Sequence, residues 1–240
     1  MPASASVDAS MPDGCAAAMP DDPAGGRFDG LILAGGLSRR MRTPDTPDID
    51  KGLRDWQGQP LVAHVCRFMR GQGVDRIHIS ANRNTQAYAA HGRVVPDAPD
   101  QQDCGPLAGV LAGLRQAQSP WLFVLPVDVV RWPADLLARL AAAARPDHPA
   151  YARTLDGPHP LCVLVHRRQQ ASLQAFVQSG GRQVQAWLRG RQARPVDFAG
   201  QDCLVNLNTP QDWGRWAGLT PEPSDAPQGV NAASPTARTN

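Results

Sequence analysis

A short apolar run that ends in two glycines constrains the folding of this chain more than any other feature. The run, Leu31 to Ala34, is continuous, as is typical of a strand buried on both faces of a parallel sheet. It leads into Gly35-Gly36, where backbone N–H groups can approach an anion without side chains in the way. Arg39, Arg40 and Lys51 follow and can neutralise the charge of that anion. The segment therefore predicts a strand that ends in a polyphosphate-binding turn.

Strand and helix patterns alternate along the rest of the chain. Strands are predicted near residues 31–34, 76–81, 94–95, 121–125, 161–165, 195–198 and 204–205. Helices are predicted near residues 60–69, 85–90, 133–144, 169–178, 182–189 and 209–217, with one more that begins at Gly105-Pro106. This alternation predicts an α/β fold with three layers, in which a mostly parallel sheet carries helices on both faces. Ligands of such sheets bind at the carboxyl ends of the strands.

Composition excludes several classes of function. The 240 residues carry a net charge of +2 and few aromatic side chains, so nucleic acid is not an expected partner. No apolar run reaches the roughly 18 residues of a membrane span. The five cysteines lack CxxC spacing, which indicates neither a zinc site nor a redox motif and favours reduced thiols in a cytoplasmic protein.

Both ends of the chain differ from its middle in composition. Residues 1–27 and 219–240 are rich in Pro, Ser and Ala, and the first segment lacks the pattern of a signal peptide. We expect both to be disordered tails that flank one domain at residues 28–218.

Polar residues follow several of the predicted strands. Asp128 is placed to hold Mg²⁺ on a triphosphate, since this ion prefers one or two carboxylates together with phosphate oxygens and water. Asp97 could accept two hydrogen bonds from the edge of guanine. Asn82 could bind a base edge or a ribose, and Ser80 is a weaker candidate at the same strand end. Turn formation or helix capping remains the alternative for each aspartate and for Asn82. The glycines match neither the Rossmann nor the Walker pattern, so neither a dinucleotide cofactor nor a P-loop ATPase is indicated.

A series of short motifs extends this pattern from about residue 30 to residue 216. In chain order the motifs are Leu33-Ala34-Gly35-Gly36, Ser38-Arg39-Arg40-Met41, Asp50-Lys51-Gly52-Leu53, Ser80-Ala81-Asn82-Arg83, Gly105-Pro106-Leu107-Ala108-Gly109, Pro126-Val127-Asp128, His159-Pro160 and Asn206-Leu207-Asn208-Thr209-Pro210. Together they resemble the molybdenum cofactor guanylyltransferases, a branch of the nucleotidyltransferases with a Rossmann-like α/β architecture. Two departures from the family pattern stand out. A longer segment, Arg42 to Ile49, replaces the usual glycines before Asp50-Lys51, and Val129-Val130 replaces Thr-Pro after Asp128.

The resemblance implies transfer of GMP from GTP to molybdopterin that carries molybdenum, with release of pyrophosphate. The GTP-binding residues it implies or supports are Leu33, Ala34, Gly35, Gly36, Lys51, Ser80, Asn82, Asp97 and Asp128. Asp128 would also bind Mg²⁺, and Asn206 and Asn208 would lie on the pterin side. The family implies transient contacts with a molybdenum-insertion protein and with acceptor molybdoenzymes, and we expect a monomer.

Charge considerations predict how such a transfer would proceed. The terminal phosphate of molybdopterin is already an anion, so its in-line attack on the α-phosphorus needs no general base. Catalysis would rest on alignment and on neutralisation of charge, with Lys51, Arg39 and Asp128 as the catalytic residues. Two alternatives remain open: a cytidylyltransferase that acts on molybdopterin or on a sugar or alcohol phosphate, and a non-catalytic nucleotide-binding protein.

Overall fold

A computed structural model describes residues 26–35, 50–101, 104–200 and 202–216. Apart from Gly26 and Arg27, the two predicted tails lie outside these residues, as does the segment Arg42 to Ile49. The strands are β1 (Phe28–Leu33), β2 (Asp55–Trp56), β3 (Gln59–Pro60), β4 (Arg76–Ser80), β5 (Arg93–Val95), β6 (Trp121–Pro126), β7 (Val129–Val130), β8 (Ala150–Thr154), β9 (Gly157–His166), β10 (Arg194–Asp197) and β11 (Val205–Asn206). The helices are α1 (Leu61–Gly71), α2 (Thr85–Ala89), α3 (Pro106–Gln116), α4 (Leu136–Ala143), α5 (Gln170–Gln178), α6 (Val184–Gly190) and α7 (Pro210–Trp216).

Seven strands form one sheet in the order β10-β8-β9-β6-β1-β4-β5. Only β9 runs antiparallel to the other six strands. At the carboxyl end of β1, Leu33 pairs with Ser80 of β4 and with Pro126 of β6. Three neighbouring parallel strands therefore end at the same level, and the loops that follow them begin side by side.

Successive residues of the central strands face opposite layers. Leu31 packs in the core on the α3, α5 and α6 side, whereas Ile32 packs in the core on the α1, α4 and α7 side. In β6, Leu122 likewise packs on the side of Leu31, and Phe123 packs on the side of Ile32. Burial on both faces explains why these strands are continuous apolar runs, and each buried leucine or isoleucine contributes about 1.5–3 kcal/mol. The predicted three-layer fold with a mostly parallel sheet is confirmed.

The structure departs from the predicted elements in its short strands, in one strand of the sheet and at the start of one helix. Strands β2, β3 and β7 have two residues each and were not predicted. Strand β8 was not predicted, and it pairs with β9 as an antiparallel hairpin. Helix α4 begins at Leu136 rather than at Pro133, because residues 133–136 form a turn in which the Leu136 N–H donates to the Pro133 carbonyl at 3.1 Å. The remaining predicted helices and strands of the sheet are present, with ends shifted by a few residues.

The last helix begins as its sequence predicts. The Thr209 hydroxyl accepts the Asp212 N–H at 3.2 Å, and the Asp212 carboxylate accepts the N–H groups of Asn208 and Thr209 at 2.9 and 2.7 Å. This reciprocal capping fixes the direction in which the chain enters α7. Among the helices that the structure describes, none is both long and apolar enough to cross a membrane.

Candidate active site

The site lies where β1, β4 and β6 end. The Ala34 N–H donates to the Ser80 carbonyl at 2.9 Å, and the Val127 N–H donates to the Leu33 carbonyl at 3.0 Å. These bonds extend the sheet pairing by one residue beyond the strands and hold the three following loops together. A small open cleft lies between the loops, and it is lined by Ala34, Gly35, Asp50, Ala81, Asn82 and Arg83.

Lys51 and Asp128 meet beside this cleft, although 77 residues separate them in the sequence. The Lys51 Nζ lies 2.9 Å from Asp128 Oδ2 and 2.8 Å from Asn208 Oδ1. The side chains of Lys51 and Asp128 are only 12% and 25% exposed, so water screens this pair less than it screens a surface pair. Two oxygen atoms thus converge on one cation position at the carboxyl edge of the sheet.

Asn208 reaches this position through a strand pairing outside the main sheet. β7 follows Asp128 and pairs antiparallel with β11, which places Asn206 opposite Val129. The Leu207 N–H donates to the Asp128 carbonyl at 2.9 Å, so the backbones of the two segments are held together beside the site. Both asparagines are exposed, and the side chain of Asn208 points to Lys51.

Lys51 carries a further signal that the motif alone does not reveal. It is the only lysine in a chain whose Lys and Arg residues number 24. An ammonium group is a compact point charge that fits between two oxygens, whereas a guanidinium is a planar fork that requires a broader partner. The two oxygens of Asp128 and Asn208 therefore suit the ammonium group of a lysine at position 51.

Asn82 and Asp97 form a second polar pair, at the ends of β4 and β5. The Asn82 Nδ2 donates to Asp97 Oδ2 at 2.8 Å, and the Asp97 N–H donates to Asn82 Oδ1 at 2.9 Å. Burial raises the pKa of the Asp97 carboxyl above its usual value, and this effect outweighs the hydrogen bonds from Asn82 and Ser80, which lower it. The Asn82 amide thus donates one hydrogen bond to Asp97 and accepts another from it, and it orients that carboxylate.

Helix α3 packs closely against the two central strands at this edge. A Cβ atom added to Gly109 would lie 2.8 Å from Leu33 Cδ2 and would also crowd the side chain of Ser80. Gly105 precedes the helix with a φ of +64°, a conformation that favours glycine. The two glycines therefore have structural reasons to be present: a positive φ at Gly105 and close packing at Gly109.

The structure joins Lys51 to Asp128 and Asn208, and it pairs Asn82 with Asp97. Leu33, Ala34, Gly35 and Ser80 lie at the adjoining ends of β1 and β4, and Asn206 lies on β11 opposite Val129. Gly36 and Arg39 lie outside the described residues. Within the described part of the chain, no group of three or more His, Cys, Asp or Glu side chains could hold a metal ion. Sequence reasoning assigned no role to Asp50, Asn84 or Tyr88, which join in a hydrogen-bonded cluster directly before Lys51.

Comparisons with known proteins show which family of sequences this chain is similar to. Residues 30–196 match the model of the MobA-like NTP transferase domain. A molybdenum cofactor guanylyltransferase from Shewanella frigidimarina is 38% identical over 188 residues, which cover 77% of this chain and 93% of the relative.

Two solved structures share the fold at low sequence identity. A nucleotidyl transferase from Methanothermobacter has a TM-score of 0.64 and 18% identity, covering 80% of this chain and 96% of that structure. Molybdopterin-guanine dinucleotide biosynthesis protein A from Archaeoglobus fulgidus has a TM-score of 0.59 and 18% identity, covering 79% and 96%.

Proposed function

Because this chain belongs to the molybdenum cofactor guanylyltransferase family, we propose that it transfers GMP from GTP to molybdopterin that carries molybdenum, releasing pyrophosphate. The chain is a nucleotidyltransferase. One observation supports the specific proposal most: the Lys51 ammonium lies between Asp128 and Asn208, beside the end of β1 where the glycine-rich turn begins. This position suits the phosphates of a nucleotide that lies across the carboxyl edge of the sheet.

Lys51 acts on the leaving group in this proposal. The terminal phosphate of molybdopterin attacks the α-phosphorus of GTP, the bond from the α-phosphorus to the bridging oxygen breaks, and pyrophosphate leaves with the bonding electrons. Lys51 and Arg39 neutralise the charge that develops on pyrophosphate. No side chain needs to remove a proton, because the attacking phosphate is already ionised.

Asp128 and Asn208 fit a divalent cation, for which we propose Mg²⁺. Their two oxygens lie 2.9 and 2.8 Å from one cationic atom, and hard oxygen donors of this kind suit Mg²⁺ when phosphate oxygens complete its shell. When bound, the ion supplies charge neutralisation on the phosphates. Asp128 and Asn208 would hold the ion, and the Lys51 ammonium would contact phosphate.

The base-binding side of the proposal rests on Asp97. An ionised carboxylate accepts hydrogen bonds from the N1–H and the 2-amino group of guanine and offers no such match to cytosine. Asn82 orients the Asp97 side chain by holding Oδ2 and the backbone N–H of the same residue. Leu33, Ala34, Gly35, Gly36 and Ser80 complete the nucleotide side at the ends of β1 and β4.

Asn206 and Asn208 define the acceptor side. Asn206 lies on β11 opposite Val129 of β7, and Asn208 follows β11 in the chain. We propose that the acceptor is held there, beside Asp128. We place this activity in a cytoplasmic monomer that receives its substrate from a molybdenum-insertion protein and passes its product to acceptor molybdoenzymes.

Nucleotide-dependent release of pyrophosphate tests the proposal. The purified chain is mixed with Mg²⁺, molybdenum-loaded molybdopterin and GTP, CTP or ATP in parallel. Release that requires both GTP and the cofactor is the expected result. Release with CTP would move the chain to the cytidylyl branch and contradict the role of Asp97, and nucleotide binding with no release would favour a non-catalytic protein.

A further inference from the structure

We propose that Tyr88 and Asn84 are positioning residues for Lys51 and that they act by holding the carboxylate of Asp50. We refer to Asp50, Asn84 and Tyr88 as the Asp50 brace. Its expected effect on catalysis rests on the proposed function, whereas its expected effect on the Lys51 side chain does not.

The Asp50 carboxylate is buried and accepts three hydrogen bonds. The Tyr88 hydroxyl donates to Oδ1 at 2.6 Å, the Asn84 Nδ2 donates to Oδ2 at 3.2 Å, and the Gly52 N–H donates to Oδ1 at 3.3 Å. Hydrogen bonds to an ionised group are stronger than those between neutral groups. Both oxygens are engaged, so the carboxylate has one orientation, set by two side chains that lie 34 and 38 residues further along the chain.

Tyr88 is built to donate to this carboxylate. Its side chain is fully buried on α2, and burial raises the pKa of its hydroxyl, an effect that the hydrogen bond with Asp50 reinforces. A raised pKa favours the protonated hydroxyl, which is the form that donates to the carboxylate. It also lies against Gly52, where an added Cβ would come into collision with it and would be 3.0 Å from Val127 Cγ2.

The brace determines where the backbone of Lys51 lies. The Asp50 side chain caps the 3-10 turn of residues Lys51–Leu53, and the Leu53 N–H donates to the Asp50 carbonyl at 3.0 Å. The turn is thereby fixed to α2 on one side and packed against Val127 on the other. Asp128 follows Val127 directly, so the backbone ahead of Lys51 and the carboxylate that receives its ammonium are held relative to each other.

A lysine needs such support because its long side chain has many rotamers to lose when it is ordered. Asp128 and Asn208 hold only the far end of the side chain. The brace fixes the near end, and it does so at the residue where the chain returns from the segment 36–49. Asp50 also lines the same cleft as Gly35, so the brace lies beside the end of β1.

The single lysine of the chain allows a direct test that needs no substrate. Brief labelling of amines with acetic anhydride, followed by mass spectrometry of the peptides, reports the reactivity of Lys51 separately from that of the N-terminal amine. Tyr88→Phe removes one hydroxyl and keeps the ring. The matched control is Tyr151→Phe, the only other tyrosine, which lies half-buried on β8 away from the site.

Loss of the hydroxyl should free the turn and thereby the lysine. We expect Lys51 in Tyr88→Phe to react about fivefold faster than in the wild type, with Tyr151→Phe unchanged. In the pyrophosphate assay, Tyr88→Phe should lower kcat about tenfold and change the KM for GTP by less than about threefold, because Lys51 acts on the leaving group. A purely structural role would not speed the labelling of one lysine while the circular dichroism spectrum stayed native.

A second variant keeps the proposal open to refutation if Tyr88→Phe loses its fold. Asn84→Gly removes the amide and suits the φ of +51° at this position, and it should also speed Lys51 labelling. Unchanged labelling in folded variants at both positions would overturn the proposal. If labelling responds but the wild type transfers no GMP, the brace stands and the proposed function fails.

Discussion

Replacing Lys51 with alanine should lower the rate of pyrophosphate release strongly and the unfolding free energy only slightly. The variant removes the ammonium that lies 2.9 Å from Asp128 and 2.8 Å from Asn208. Loss of one donor that stabilises transition-state charge typically lowers the rate by about 10²- to 10³-fold. We expect kcat for pyrophosphate release to fall at least about 10²-fold, since no other lysine exists to replace the charge.

The stability of the same variant should change little. Lys51 and Asp128 are only 12% and 25% exposed, but Asp128 is still in contact with water and can be hydrated once the ammonium is removed, so we expect the unfolding free energy to fall by no more than about 1–2 kcal/mol. Urea unfolding followed by circular dichroism measures this change. The matched control is Arg153→Ala, which breaks the exposed pair between Arg153 and Asp197 on the far side of the sheet. It should leave pyrophosphate release unchanged.

Two results would refute this reasoning. Near-normal kcat in Lys51→Ala would show that the ammonium does not act on the leaving group. A loss of several kcal/mol in unfolding free energy would show that the ion pair is structural, and the loss of activity would then have no catalytic meaning. A Lys51→Arg variant refines the outcome, because it keeps the charge but not its compact geometry, and it should recover only a minor part of the rate.

Further predictions concern Asp97 of the base-binding pair, the buried Asp29 and the packing of Gly109 in helix α3. Asp97→Asn should raise the KM for GTP about tenfold or more and reduce the preference for GTP over ITP, which lacks the 2-amino group; an unchanged GTP to ITP ratio would contradict the role of Asp97. Because burial raises the pKa of Asp97, GTP binding measured by calorimetry should weaken on acidification at a higher pH than an ordinary aspartate would dictate. Asp29 is fully buried and accepts the Gln118 N–H at 2.7 Å and the Ser119 hydroxyl at 2.8 Å, so Asp29→Asn should lower the unfolding free energy at neutral pH by about 1–3 kcal/mol, as urea titration would measure. Although burial opposes ionisation, these hydrogen bonds leave the pKa of Asp29 below its usual value. The contribution of Asp29 to the unfolding free energy should therefore be complete above the pKa of the unfolded chain and be lost as the pH falls through the folded pKa. A difference between the wild type and Asp29→Asn that is the same at pH 7 and at pH 3 would contradict this assignment. Gly109→Ala should lower the unfolding free energy by about 1–3 kcal/mol, since its Cβ would lie 2.8 Å from the side chain of Leu33, and an unchanged melting temperature would contradict this packing.

The sequence predicts the edge of the sheet where the site lies because that edge depends on local patterns. Apolar runs mark β1 and β6, an alternating pattern marks β4, and residues that follow parallel strands must emerge at the same edge. This reasoning alone brings Gly35, Asp97 and Asp128 near one another without knowledge of the register. The glycines and the single carboxylate at the end of β6 then indicate a phosphate ligand.

Other features depend on contacts between distant segments, and local patterns do not encode them. The pairing of β7 with β11 involves two residues on each strand, and it places Asn208 within reach of Lys51, which lies 157 residues earlier. The bond from Tyr88 to Asp50 likewise joins a helix interior to a turn. A tyrosine at an apolar helix position is typical of a core residue, so its hydroxyl gives no sign in the sequence of the partner it meets.

The product of the reaction tests the proposed function most directly. The wild-type chain is incubated with Mg²⁺, GTP and molybdenum-loaded molybdopterin, and the products are separated and identified by mass spectrometry. We expect a guanine dinucleotide whose mass exceeds that of molybdopterin by one GMP unit less water, formed in equal amount with pyrophosphate. Appearance of a cytosine dinucleotide from CTP, or recovery of the substrates unchanged, would contradict the assignment of this chain as a guanylyltransferase.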